Sequence, residues 1–99
     1  SVDVGAPGVN IVSTMSSSYY WGSGTSMAAS HVTGIAALIY DVHPDWGPLQ
    51  VRDRIYNTVR PIDALSGITT TNGVVNAYNA LLEPITPPVV PAIILLLIL

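Results

Sequence analysis

Apolar and polar positions change rhythm several times along the chain, and each change predicts an element. Val9-Asn10-Ile11-Val12 is a β-prone run entered through the Pro7-Gly8 turn signal, and Tyr19-Tyr20-Trp21 is a second. Two strands are expected there, joined by a small-polar loop from Ser13 to Ser18. From Thr25 to Tyr40 the residues are aliphatic or small, with no charge other than one that His31 could carry. No face is marked for water, so the expected helix is buried on all sides and stops between Asp41 and Pro44. Pro48 sits where a first helical residue would. After it, Leu49, Arg52 and Tyr56 alongside Val51, Ile55 and Val59 recur at spacings of three and four, with Gln50, Asp53, Arg54 and Asn57 on the other side. That predicts an amphipathic surface helix closed by Arg60-Pro61. Ser66-Gly67 and Asn72-Gly73 mark a loop or hairpin, and Asn76 is placed to cap a last short helix reaching Leu82. No repeat is visible.

Composition sharpens this picture. In a chain of 99 residues, 49% of the side chains are hydrophobic and 9% are charged. A domain of that size buries only roughly 60–70% of its unfolded surface, so surplus apolar surface needs cover from elsewhere. A helix without a wet face would need most of the remaining residues as its sheath. Both points predict one part of a larger α/β protein rather than a disordered chain. The opening Ser1-Val2-Asp3-Val4, with neither Met nor a charged leader, predicts a start inside a longer protein. Four of the eight prolines fall between Pro84 and Pro91, and after Ala92 the chain reads Ile93-Ile94-Leu95-Leu96-Leu97-Ile98-Leu99. Residues 84–99 are therefore a Pro-rich stem with an apolar tail. Two readings of that tail stand: the start of a membrane anchor, for which a span needs about 20 apolar residues, or a greasy segment packed on the domain.

Three arginines and no lysine stand against six acidic residues, a net charge of -3 that offers no footprint for a phosphate backbone and argues against nucleic-acid partners. Without cysteine there is neither a disulfide framework nor a thiolate metal site. The feature that invites chemistry is Ser23-Gly24-Thr25-Ser26-Met27-Ala28-Ala29, a hydroxyl at the mouth of the long helix with glycine before it and small side chains after. Backbone N–H groups without intrahelical acceptors converge there with the positive dipole end, a setting that favours an oxyanion beside a nucleophile. Ser and Thr are also ordinary helix caps, and on the residues alone that reading stays open.

The longer segment Gly24-Thr25-Ser26-Met27-Ala28-Ala29-Ser30-His31-Val32-Thr33-Gly34 closely resembles the nucleophile segment of the subtilases, G-T-S-M-A-x-P-H-V-x-G. The resemblance extends upstream to Ala6-Pro7-Gly8-Val9-Asn10-Ile11. Downstream it takes in Pro44, Gln50-Val51-Arg52 and Gly73-Val74-Val75-Asn76-Ala77. It implies an α/β chain: residues 1–83 as the C-terminal part of a subtilisin-like three-layer catalytic domain. That fold has a mainly parallel sheet, a long buried helix after the nucleophile and one or two outer helices.

The resemblance further implies that Ser26 attacks a scissile peptide carbonyl and that its backbone N–H donates to the oxyanion, with Gly24, Thr25 and Met27 shaping the site. The general-base His, its orienting Asp and a side-chain oxyanion donor, an Asn, belong to family segments upstream of Val2. This chain alone is therefore expected to be an inactive fragment of a serine endopeptidase. Its partners would be the upstream part of the domain and a polypeptide substrate. The rival reading is a non-catalytic structural or partner-binding remnant. No metal site and no cofactor are expected in this segment, and calcium belongs, if anywhere, to other parts of the family fold. Relatives of this kind imply an extracellular or cell-surface location.

One position departs from the family pattern. Ser30 stands where the pattern has proline, and, taken as a first-turn residue, it restores an N–H and loosens the segment behind Ser26. His31 follows Ser26 by five positions, a rotation of about 500° and a rise of about 7.5 Å, so it cannot serve as the base and reads as a core histidine held by a hydrogen bond. His43 is expected in a solvated turn. Tyr19, Tyr20 and Trp21 either contact substrate or pack a sheet edge.

Overall fold

A computed structural model describes residues 1–82. The stem and tail expected at 84–99, and the two readings of it, lie outside the described residues. The elements in order are strands β1 (Ile11–Met15) and β2 (Ser18–Gly22), helices α1 (Thr25–Val42) and α2 (Pro48–Asn57), strand β3 (Arg60–Pro61), a 3-10 turn at Asp63–Leu65, strand β4 (Gly73–Val74) and helix α3 (Ala77–Leu81).

β1 and β2 form an antiparallel hairpin in which Ile11 faces Gly22 and Met15 faces Ser18. The expected loop from Ser13 to Ser18 is much shorter than that, for only Ser16 and Ser17 connect the strands. Ser16 makes the reversal at φ 52°. The strands themselves are exposed except at Ile11 and Gly22. Among the described residues nothing packs over Tyr19, Tyr20 and Trp21, which are 74%, 57% and 72% exposed.

The core lies where three helices meet. Ile35 and Ile39 of α1, Val51 and Ile55 of α2 and Ala80 of α3 are buried together, with Val32, Ala36, Trp46, Tyr56, Val75, Ala77 and Leu81 packed around them. Within these residues α1 is covered on one face only, contrary to burial on all sides. Ile35 and Ile39 are its buried residues, while Leu38 and Val42 remain close to half exposed. The reason is the count of covering elements: α2 and α3 shield one stripe, and nothing described lies over the other. α2 begins at Pro48 as expected, with the Gly47 N–H donating to Gln50 Oε1 at 2.8 Å.

Three residues of α2 depart from the expected sides, and one is Arg52, which is exposed and pairs with Asp53 at 2.8 Å. Leu49, in the first turn, is 64% exposed. Arg54 turns inward, its Nε donating to Ala80 O at 2.8 Å and its Nη2 to Leu82 O at 3.0 Å. α3 is capped by Asn76, whose Oδ1 accepts the Asn79 N–H at 3.0 Å.

The N-terminal segment threads alongside residues 69–75. Val2 bridges Thr69 and Gly5 bridges Val74, both parallel, and the Gly5 N–H donates to Gly73 O at 2.9 Å. The two paired ladders, β1 with β2 and β3 with β4, are antiparallel. The described residues thus combine helices with small sheets, an α/β composition.

Candidate active site

α1 begins abruptly after a glycine. Gly24 is the N-cap at φ 156° and ψ 169°, a backbone region that only glycine occupies readily, and no side chain caps the helix. The Gly24 carbonyl accepts from Met27 N–H at 3.2 Å and from Ala28 N–H at 3.3 Å. Among the described residues the N–H groups of Thr25 and Ser26 meet no acceptor. Ser26 is exposed and sits second in the helix, so its hydroxyl and its unengaged N–H lie together at the positive end of an 18-residue helix dipole. Gly24, Thr25 and Ser26 form the mouth of the helix, and Met27 is half-buried beside them, its side chain folded against Gly22.

Ser26 opens on a groove of about 420 Å³ between β1 and α1, lined by Ile11 to Met15 on one side and by Ser26, Met27, Ser30 and His31 on the other. His31 lies in the groove wall with its Nδ1 2.9 Å from Met27 O, the hydrogen bond of a helix-bound imidazole. Ser30 is not a first-turn residue. With Thr25 as the first helical position it falls in the second turn, and its hydroxyl donates to Ser26 O at 2.9 Å. The segment behind Ser26 therefore gains a side-chain tie where loosening was expected. His43 is not a free turn residue either: its ring stacks on Trp46 at 3.7 Å and 3° between planes.

Two features of the site escape a reading of motifs. The Asn10 N–H donates to Ser23 Oγ at 2.9 Å, and the Gly24 N–H donates to Gly8 O at 2.7 Å. Asn10 stands at φ 52°, which an asparagine tolerates. The Pro7-Gly8 turn signal was the only sequence cue to that contact. A second groove, of about 500 Å³, runs between α1 and α2 beneath Asp3, with Val32, Ala36 and Val51 in its floor and Tyr56 at its rim. A hydrogen bond to Asp3 holds the Tyr56 phenol above its usual range. No group of three or more His, Asp or Glu side chains gathers among the described residues to hold a metal, and no helix there is long and apolar enough to cross a membrane.

A family model described as the subtilase family matches residues 1–82. M-protease from Shouchella clausii (strain KSM-K16) is 42% identical over 84 residues, 80% of this chain and 20% of that protein. Subtilisin from Bacillus pumilus is 53% identical over 58 residues, 58% of this chain and 21% of that protein. Subtilisin BL from Lederbergia lenta is 40% identical over 80 residues, 80% of this chain and 29% of that protein. The chain thus spans between a fifth and under a third of the length of these relatives.

Proposed function

The chain belongs to the subtilase family of serine proteases, and from that premise we propose that it is the C-terminal part of the catalytic domain of a serine endopeptidase, with Ser26 as nucleophile. The observation that carries the reading is the pairing, at one helix mouth, of the Ser26 hydroxyl with a Ser26 N–H that has no acceptor among the described residues. In the whole domain, Ser26 Oγ would attack the scissile carbonyl carbon while the upstream histidine takes its proton. Negative charge then gathers on the former carbonyl oxygen, and the Ser26 N–H donates to it, with the upstream asparagine as second donor. Collapse expels the amine, protonated by the same histidine, and leaves an acyl group on Ser26. Water attacks that ester by the same route in reverse.

The upstream part of the domain has a second task. The mainly parallel sheet of the three-layer fold would lie over the open side of α1, burying the helix that α2 and α3 shield on one face only. Without it, on this reading, no group among the described residues is placed to take the Ser26 proton, since His31 follows Ser26 by five positions along α1, a rise of about 7.5 Å. A peptide substrate and an extracellular or cell-surface location belong to the same reading.

The test joins this chain to an upstream subtilase segment carrying the Asp, His and Asn. The joined protein should react at Ser26 with a serine-directed phosphonate, and Ser26→Ala should abolish the reaction. The isolated chain should not react. A joined, folded protein that stays unlabelled would favour the non-catalytic remnant instead.

A further inference from the structure

We propose that Ser23 is a positioning residue for Ser26, acting through a clamp between the Gly8–Asn10 turn and the loop that carries the nucleophile. The inference rests on Ser26 being that nucleophile. β2 ends at Gly22 and α1 begins at Thr25, so Ser23 and Gly24 are the whole of the connection between them. No side chain caps the helix. The direction of its first turn, and with it the aim of the Ser26 hydroxyl and N–H, is therefore set by the path of these two residues.

Both are tied to the same distant turn. Ser23 Oγ accepts the Asn10 N–H at 2.9 Å, and the Gly24 N–H donates to Gly8 O at 2.7 Å. The approach is as close as backbones allow: a Cβ on Gly8 would stand 2.8 Å from Gly24 O and 3.3 Å from the Ala28 Cβ. Asn10 presents its N–H to Ser23 only because the chain turns there at φ 52°. The Gly24 bond alone fixes one point of the loop. With the Ser23 bond added there are two, and two points fix its orientation.

Ser23 is exposed and is no part of the apolar core. Loss of its hydroxyl removes no buried packing, so the effect falls on the aim of Ser26 rather than on folding. That separates positioning from a merely structural role.

The experiment uses the joined protein with Ser23→Ala, which removes the acceptor, and Ser23→Asn, which returns one on a carbonyl. For a misaimed nucleophile, kcat on a peptide amide should fall roughly tenfold in Ser23→Ala while KM stays within about twofold. Phosphonate labelling of Ser26 should slow in step, with the melting temperature held within about 2 °C. Ser23→Asn should recover most of the lost kcat. A parent-like kcat in Ser23→Ala would overturn the proposal. So would a loss matched by a fall in folded fraction, or one that Ser23→Asn does not reverse. Turnover that survives Ser26→Ala is a different failure, that of the nucleophile assignment itself.

Discussion

The Ser30 hydroxyl donates to the backbone carbonyl of Ser26 at 2.9 Å, one helical turn back, in the wall of the groove onto which Ser26 opens. An α-helix already directs the N–H of position 30 to that carbonyl, so the hydroxyl is a second donor to an acceptor that is served without it. Replacing it removes little. Ser30→Ala in the joined protein should change stability by no more than about 0.5 kcal/mol, since exposed back-bonded serines in helices are near neutral. Urea unfolding checks this, and a loss of several kcal/mol would mean that Ser30 has a further partner.

Arg54 is the tie between α2 and α3. Its Nε reaches Ala80 O and its Nη2 reaches Leu82 O, so one planar fork satisfies two carbonyls at the end of a five-residue helix. Lysine keeps the charge and loses the fork. Arg54→Lys should cost about 1–2 kcal/mol, with the amides of α3 exchanging faster than those of α1. Equal acceleration in both helices would show that the fork holds the whole core and not α3.

These two contacts mark what a sequence conveys and what it does not. Pro48 at the start of α2, the Asn76 cap and the glycine before Ser26 were legible because each is a local rule: a ring that fixes φ, a side chain that reaches three residues on, a backbone without Cβ. Arg54 was placed on the wet side of α2 because the spacing pattern treats a charged residue as exposed, whereas a guanidinium can lie flat and spend its donors on carbonyls. The small-polar run from Ser13 to Ser18 announced a connection, but the turn at Ser16 and Ser17 carries no glycine or asparagine, so nothing local announced how tight it is. The parallel bridges from Val2 and Gly5 join positions far apart in the chain, beyond any local pattern. In α1 the pattern described a helix dressed on all sides, and the described residues supply only part of the dress.

Gly73 occupies a site that admits no side chain. It is buried in β4, and a Cβ there would lie 2.7 Å from Arg60 O and 2.7 Å from Val59 Cγ2. Its carbonyl also accepts the Gly5 N–H. Gly73→Ala must push β3 and β4 apart, and the joined protein should lose about 1–3 kcal/mol by chemical denaturation, the usual cost of overpacking. An unchanged midpoint would refute the close approach of Gly73 to Val59.

Ser16 offers the opposite change. It holds φ 52° at the tip of the β1–β2 hairpin, where an L side chain crowds its own carbonyl and glycine does not. Ser16→Gly should stabilise the joined protein by about 0.5–1 kcal/mol, the relief of strain exceeding the added freedom of the unfolded chain. A lowered melting temperature would mean that the turn does not hold this geometry in solution.

Met27 adjoins Ser26 in the first turn of α1 and lines the same groove, with its Sδ 3.8 Å and its Cε 2.5 Å from the positions that Cβ atoms on Gly24 and Gly22 would take. Its thioether is therefore half-buried against backbone, with little room to gain an atom. Oxidation to the sulfoxide adds a polar oxygen there. That oxygen either displaces the Gly24 segment or stands over the Ser26 N–H, and both outcomes disturb the place where the oxyanion forms. Peroxide treatment of the joined protein should lower kcat with KM changed much less, and Met27→Ala should retain its own, untreated activity through the same exposure. Equal loss in both proteins would place the damage elsewhere and dismiss Met27 as the sensitive group.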